Sequence, residues 1–188
     1  MKGKLVLAVA SLAALALAGL AFADFNPIRG TDGPDTIIGT AGPDLIVALK
    51  SDDTVDAEGG NDRVLLGAGN DRALGGGGDD FIRGGNGADV IDGQAGNDTL
   101  RGRDGNDVVQ GGDGSDVIYV GRGADQEFGG DGNDRMHALA ADGQVDAVDC
   151  GAGNDVAFEN VNEHDVFVNC ERVIRKSPTP QESADDNG

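Results

Sequence analysis

Aspartates at a fixed spacing are the residues of this chain best placed to do chemistry. Twelve of them recur at every ninth position: Asp35, Asp44, Asp53, Asp62, Asp71, Asp80, Asp89, Asp98, Asp107, Asp116, Asp125 and Asp134. A glycine stands two residues before each of them, except at Asp53, where the residue is Ser51. Carboxylates and the carbonyl groups of glycine-rich turns are the oxygen ligands that hard divalent cations take. The spacing therefore favours a series of cation sites over a disordered acidic chain, which needs no register.

The elements that must position these carboxylates follow from one repeat, Gly111–Tyr119. Its glycines permit tight reversal, and its last three residues, Val-Ile-Tyr, suit a short strand. Because side chains alternate along a strand, Ile118 points inward and its two neighbours point outward. Two repeats then make one coil, so the twelve repeats predict an all-β parallel β-roll, a two-sheet solenoid of six coils. We expect an aliphatic core from the equivalent positions: Ile82, Ile91, Leu100, Val109 and Ile118.

The pattern G-G-x-G-x-D-x-U-x, with U a large aliphatic residue, resembles the RTX (haemolysin-type) calcium-binding nonapeptide repeat. The resemblance covers residues 30–137 and implies a β-roll that binds several Ca²⁺ ions between its turns. It implies that the side-chain ligands are Asp35, Asp44, Asp62, Asp71, Asp80, Asp89, Asp98, Asp107, Asp116, Asp125 and Asp134. The best-formed turns are Gly75–Asp80, Gly84–Asp89, Gly93–Asp98, Gly102–Asp107, Gly111–Asp116 and Gly129–Asp134.

Some repeats depart from this pattern. Residues 48–56 contain no glycine, so a site that uses Asp53 is doubtful. Ala57 and Glu58 replace the opening glycines of the next repeat. Glu127 stands at an inward position, where a lone buried carboxylate is costly, so we expect the eleventh repeat to be distorted.

The composition and the N-terminal residues limit the classes of partner and indicate the cellular location. The 188 residues carry a formal net charge of −20, which disfavours nucleic acid as a partner because phosphate binding needs a basic surface. Residues 1–23 have two lysines, an apolar run and the small-residue site Ala21-Phe22-Ala23, the pattern of a secretory signal peptide. We expect a secreted, extracellular protein with no membrane span after cleavage. An uncleaved membrane anchor is the alternative.

The repeat phase is lost after residue 137, and both cysteines lie beyond that point. In an exported chain, Cys150 and Cys170 are expected to form a disulfide rather than two free thiols. We interpret residues 138–175 as a small disulfide-linked C-terminal cap and residues 176–188 as a disordered tail.

Catalysis has little support in the sequence. His137 and His164 are isolated and are interpreted as solvated surface histidines, and no hydrolase or nucleotide-binding motif surrounds the serines or glycines. We therefore expect a non-catalytic calcium-binding protein that folds on binding Ca²⁺ and serves as a structural or interaction module. The alternative is a calcium-dependent surface adhesin or extracellular matrix component. A non-catalytic remnant or accessory of a secreted toxin or hydrolase is more remote.

Overall fold

The computed structural model describes residues 4–7 and 27–177, and its regular elements are all β-strands. No helix occurs in these two ranges. The strands are β1 (Lys4–Leu7), β2 (Ile28–Arg29), β3 (Asp35–Thr40), β4 (Leu45–Lys50), β5 (Thr54–Glu58), β6 (Arg63–Ala68), β7 (Arg72–Gly77), β8 (Phe81–Asn86), β9 (Val90–Ala95), β10 (Thr99–Asp104), β11 (Val108–Asp113), β12 (Val117–Arg122), β13 (Gln126–Gly132), β14 (Arg135–Ala138), β15 (Ala147–Asp149), β16 (Ala152–Gly153), β17 (Val156–Asn160), β18 (Val166–Val168) and β19 (Arg172–Lys176).

The strands form two parallel sheets that the chain visits in alternation. The first sheet has the order β1-β3-β5-β7-β9-β11-β13-β15-β18, with β16 also paired to β13. The second has the order β19-β17-β14-β12-β10-β8-β6-β4-β2. Neighbours in a sheet are thus two strands apart in sequence, as a coil made of two repeats requires. This confirms the predicted parallel two-sheet β-roll.

The core lies between the two sheets and consists mainly of one inward side chain near the start of each strand, and four turn positions add the buried side chains of Ala48, Ala57, Leu66 and Val120. In the repeat array the pairing register is eighteen residues, so that Ile82 pairs with Leu100 and Leu100 with Ile118. All five predicted core residues, from Ile82 to Ile118, are at most 1% exposed. Because alternation along each strand decides which side chains are buried, the prediction of the core from the period is confirmed.

The eleventh repeat keeps its register, so the expected distortion around Glu127 is wrong. Glu127 pairs in β13 with Val109 on one side and Val148 on the other, and its side chain is fully buried. Eight regular pairings from the neighbouring strands hold this repeat in place, and the backbone follows them rather than the polarity of one side chain.

The third turn keeps the fold of its neighbours although it contains no glycine. From the third turn to the twelfth, the second and fourth positions have a positive φ, which Gly85 and Gly87 supply in a regular repeat. In the third turn, Leu49 and Ser51 take these positions with φ of 90° and 72°. Side chains in this region of backbone space cost on the order of 1–3 kcal/mol each, and the surrounding coils impose the conformation.

The region beyond residue 138 extends the same solenoid by further coils. Strands β15 and β18 continue the first sheet, and β17 and β19 continue the second. Three extra residues between β14 and β15 displace the repeat phase, and Asn160 holds this loop by donating to the carbonyl oxygen of Leu139 at 3.2 Å. The phase is therefore lost in sequence but not in space. The interpretation of residues 138–175 as a unit that covers the end of the core stays a prediction.

The predicted disulfide is confirmed. Cys150 and Cys170 are bonded, with their Cα atoms 5.1 Å apart. Cys150 is fully buried at the end of the core, and Cys170 packs against the same cluster from the following coil. Closing a loop of this length stabilises the folded chain by about 3 kcal/mol on the chain-entropy model.

The two predicted terminal segments lie mostly outside the described residues. Of the predicted signal peptide, residues 1–23, only β1 is described, and it pairs in parallel with the first four residues of β3. Of the predicted tail, Lys176 ends β19 and residues 178–188 lie outside the described part. Within the described ranges, no helix has the length and apolar character needed to span a membrane.

Candidate metal centre

The aspartates stack into two columns, one along each edge of the solenoid where a turn leads into a strand. One column contains Asp35, Asp53, Asp71, Asp89, Asp107, Asp125, Asp146 and Asp165, and the other Asp44, Asp62, Asp80, Asp98, Asp116, Asp134 and Asp155. All eleven predicted ligands lie in these columns, and so does Asp53. All of the twelve repeat aspartates but Asp44 are buried.

One carboxylate oxygen of each aspartate has a fixed role in the column. The backbone N–H of an aspartate donates to Oδ1 of the aspartate one coil further on, as from Asp80 to Asp98 and from Asp98 to Asp116, both at 2.8 Å. The same bond recurs in the repeat array at 2.7–2.9 Å. Each carboxylate therefore ties its own coil to the preceding one.

The other carboxylate oxygen, Oδ2, is buried without a hydrogen-bond donor in most of these residues. This holds for Asp53, Asp62, Asp71, Asp80, Asp89, Asp98, Asp107, Asp116, Asp125, Asp134, Asp155 and Asp165. A buried carboxylate oxygen with no partner is costly, because it has lost its water and gained nothing in exchange. A row of such oxygens is what a bound cation would satisfy.

In six turns this oxygen faces a second oxygen across a bare glycine. A Cβ atom added to the first glycine of the turn would lie closer than 3.0 Å to Oδ2 of its own aspartate and to a backbone carbonyl oxygen of the next coil. We call the turns that combine this close approach with an Oδ2 lacking a hydrogen-bond donor the open turns, and their glycine–aspartate pairs are Gly75 with Asp80, Gly84 with Asp89, Gly93 with Asp98, Gly102 with Asp107, Gly111 with Asp116, and Gly129 with Asp134. They are the six turns that the sequence indicates as best formed.

The other turns are not open, for two different reasons, although Gly30 in the first turn has the same close approach to Oδ2 of Asp35. In the first two turns, the backbone N–H groups of Thr31 and Thr40 donate to Oδ2 of Asp35 and Asp44, so these oxygens are already satisfied. Elsewhere the first position of the turn carries a buried side chain in place of glycine. These side chains are Ala48, Ala57, Leu66 and Val120, which precede Asp53, Asp62, Asp71 and Asp125.

The donor set suits a hard cation that accepts backbone oxygens. Among the described residues, no three His, Cys, Asp or Glu side chains come together as a metal cluster. Each open turn instead combines a carboxylate oxygen with carbonyl oxygens of glycine-rich backbone. Ca²⁺ takes six to eight oxygen ligands of these kinds in flexible geometry, whereas Mg²⁺ requires near-octahedral geometry and keeps more of its water. The open turns therefore fit calcium.

Burial sets the protonation of the columns in the metal-free chain. Loss of solvent raises the pKa of Asp107 from 3.8 to about 8, and the pKa values of Asp89 and Asp98 to about 7. Backbone N–H donation from the preceding coil opposes this rise, and the neighbouring carboxylates add to it. A cation at these positions would compete with protons for the same oxygens.

The raised pKa values predict that the stability of the metal-free fold falls as pH rises, whereas the affinity for calcium increases. A folded carboxyl group with a raised pKa binds its proton more tightly than in the unfolded chain, so its contribution favours the metal-free fold most below about pH 4 and is lost as pH rises to about 8. Circular dichroism in chelator should show strand content falling between these pH values. Calcium titrations should show affinity rising over the same range. An affinity independent of pH would contradict this assignment of the carboxylates.

The nine-residue spacing did not reveal part of both columns or a second row of side-chain oxygens that accept backbone hydrogen bonds. Asp146 and Asp165 lie in the first column although the loop after β14 breaks their spacing, and Glu171 accepts the backbone N–H of Asp155 at the end of the second. Each of the two aspartates is followed by an aliphatic or aromatic side chain two residues later, which was the available signal.

The second row consists of the residues directly before the aspartates. Their side-chain oxygens accept a backbone N–H from the next coil, as Asp52 does from Asn70 and Asp79 from Asn97, both at 2.8 Å. These bonds run in the opposite direction to those of the aspartate columns. The recurrent Asn-Asp dipeptide was the signal for this row.

The two histidines lie apart from the columns and have different environments. His164 is exposed, as predicted. The prediction of a solvated surface position is wrong for His137, which is only 3% exposed. Its ring stacks between Tyr119 and Phe158, with centroids 4.3 and 4.7 Å away. The residue points outward from β14, and its stacked neighbours on the adjacent coils cover it.

Comparison with known families agrees with this geometry. The family model described as RTX calcium-binding nonapeptide repeat (4 copies) matches residues 29–64, 66–100 and 93–127, which together make up just over half of the chain. No curated protein is significantly similar to the chain in sequence. The matched residues contain five of the six open turns. The chain belongs to the RTX calcium-binding nonapeptide repeat family.

Proposed function

We propose that this protein is an exported, non-catalytic structural module whose β-roll folds on binding calcium at the six open turns. The family and the fold are typical of structural calcium-binding modules. The observation that carries the proposal is the buried Oδ2 atom of each open turn, which has no hydrogen-bond donor and faces a carbonyl oxygen across glycine. Calcium would neutralise these carboxylates and give the buried oxygens a partner.

The open turns all lie between Gly75 and Asp134, where only the eleventh turn, with Val120 at its first position, is not open. Asp80, Asp98, Asp116 and Asp134 stack on one edge, and Asp89 and Asp107 on the other. Because each of these carboxylates also holds the preceding coil through Oδ1, a cation at one turn would order two coils. Cation binding would then contribute directly to folding free energy. The remaining predicted ligands, Asp35, Asp44, Asp62, Asp71 and Asp125, would contribute less.

Export is supported by the signal-like N-terminus and by the disulfide between Cys150 and Cys170, a bond typical of oxidising compartments. A calcium-dependent role outside the cell would match affinities in the range of about 10⁻⁴–10⁻³ M known for extracellular modules.

Two substitutions that differ in the turn they affect test the site assignment. Asp98→Ala and Asp53→Ala both remove an Oδ1 acceptor that lies 2.8 Å from a buried backbone N–H, so their structural costs are matched. Only Asp98 belongs to an open turn. We expect Asp98→Ala to lower the number of bound calcium ions by about one. The calcium concentration at the midpoint of the binding transition should rise about tenfold. Asp53→Ala should keep the stoichiometry.

Isothermal titration calorimetry and equilibrium dialysis with calcium measure both quantities. An equal loss of bound calcium in the two variants would show that the open turns do not determine the sites. An unchanged stoichiometry in Asp98→Ala would remove the proposed ligand from the site.

A further inference from the structure

The outer face of the second sheet carries positive charge on a strongly acidic protein. We define this face by the outward residues on either side of each inward residue in β4, β6, β8, β10, β12, β14, β17 and β19. These outward positions include no Asp or Glu, and the cations at them are Arg63, Arg83, Arg101, Arg135 and Arg172, with Lys176 at the next outward position of β19. The equivalent positions of the first sheet hold Asp56, Asp92 and Asp149 and a single cation, Arg72.

Aromatic rings on neighbouring coils hold several of these cations in place. The guanidinium of Arg63 lies 4.5 Å from the ring centroid of Phe81, and that of Arg101 lies between Phe81 and Tyr119, at 5.4 and 5.0 Å. Further along, the ammonium of Lys176 lies 4.3 Å from the centroid of Phe158. The stack orders long side chains before any partner arrives, which lowers the entropic cost of binding.

Stacking on a ring leaves the hydrogen-bond donors of Arg63 and Arg135 available. The donors of a guanidinium lie in its plane, so a group that stacks by its face still presents N–H groups at its edge. Arg63 and Arg135 are exposed and Arg83 is half-buried, and none of the three makes an ion pair among the described residues. Adjacent coils lie about 4.8 Å apart, so Arg63, Arg83 and Arg101 extend from three consecutive coils along the solenoid.

We propose that this face binds a linear anionic polysaccharide built from uronic acids. Such a polymer offers carboxylates at regular intervals for bidentate pairing with arginine. Nucleic acid fits less well, because its dense phosphates would meet the acidic turns along both edges of the sheet. Base stacking also needs open ring faces, and those of Phe81, Tyr119 and Phe158 are occupied by their neighbours.

The test measures binding of a fluorescently labelled hyaluronan oligosaccharide to the full chain in calcium, by anisotropy. Neutral dextran and a DNA duplex serve as comparison ligands. The test variant combines Arg63→Gln, Arg83→Gln and Arg135→Gln. The control variant combines Lys50→Gln, Arg72→Gln and Arg122→Gln, which together remove the same charge from positions outside this face. Of these, Lys50 forms an ion pair with Asp32, and Arg122 forms one with Asp104.

We expect hyaluronan to bind, binding to weaken with salt, and dextran not to bind. The test variant should raise the dissociation constant about tenfold, and the control variant less than about twofold. No hyaluronan binding by the folded chain, equal losses in the two variants, or tighter binding of DNA would overturn the inference. Circular dichroism with and without calcium precedes each titration, so that a failure of calcium-dependent folding counts against the proposed function alone.

Discussion

Removal of calcium by excess chelator is expected to unfold most of the chain at neutral pH, with loss of strand content and an increase in hydrodynamic radius. The core is thin, because the main inward position of each strand holds a single side chain, and in β7 and β17 this is only an alanine, Ala73 and Ala157. Carboxylates on adjacent coils repel by roughly 0.8 kcal/mol in water and by about 3 kcal/mol at an effective dielectric constant of 20. Without a cation, this repulsion and the cost of the buried Oδ2 atoms oppose a small hydrophobic gain.

Circular dichroism and size-exclusion chromatography during a calcium titration measure this transition. Binding and folding should follow one curve, since the same oxygens serve both. Magnesium should restore the fold poorly, because its octahedral preference does not suit carbonyl-rich turns. Strand content and compactness that are unchanged in excess chelator would show that calcium does not organise this fold.

Gly114→Ala is expected to destabilise the calcium-bound form by about 3 kcal/mol or more. Gly114 has a φ of 134°, and an added Cβ would meet the carbonyl group of Gly96 on the preceding coil well inside contact distance. Its backbone N–H donates to the carbonyl oxygen of Asp131 on the following coil, so a shift would disturb both neighbours. Backbone strain and overpacking each cost about 1–3 kcal/mol.

Gly77→Ala is the matched control. Gly77 is exposed, an added Cβ would meet no atom within 4 Å, and Ala95 already occupies the paired position on the next coil. Its effect should stay within about 0.5 kcal/mol. Urea denaturation at saturating calcium compares the two variants. Equal midpoints for both would show that the close approach of coils at Gly114 is not a constraint on the fold.

The nine-residue period alone determined the strands, the inward side chains and the two aspartate columns. Alternation along a strand decides which side chains are buried, and a coil of two repeats places every aspartate beside the one eighteen residues away. These relations depend on local geometry repeated without change, so they can be read from spacing. The pattern of turn glycines likewise indicated the six turns in which the structure leaves Oδ2 open.

Contacts between coils determined what the period could not. Thr31 and Thr40 satisfy Oδ2 in the first two turns through their backbone N–H groups, which no spacing reveals. The columns continue to Asp146 and Asp165 because strand pairing absorbs a loop that breaks the phase. Glu127 stays in register because neighbouring strands outweigh one unfavourable side chain.

The burial of His137 and the cationic face of the second sheet have the same origin. Both depend on which outward residues meet across coils, and these residues are eighteen or more positions apart in sequence. The local period fixes where a side chain points, whereas its neighbours are decided by the stacking of coils. The repeat therefore determined the scaffold and the position of its ligands, and only the tertiary structure decided which turns are open and which surface is charged.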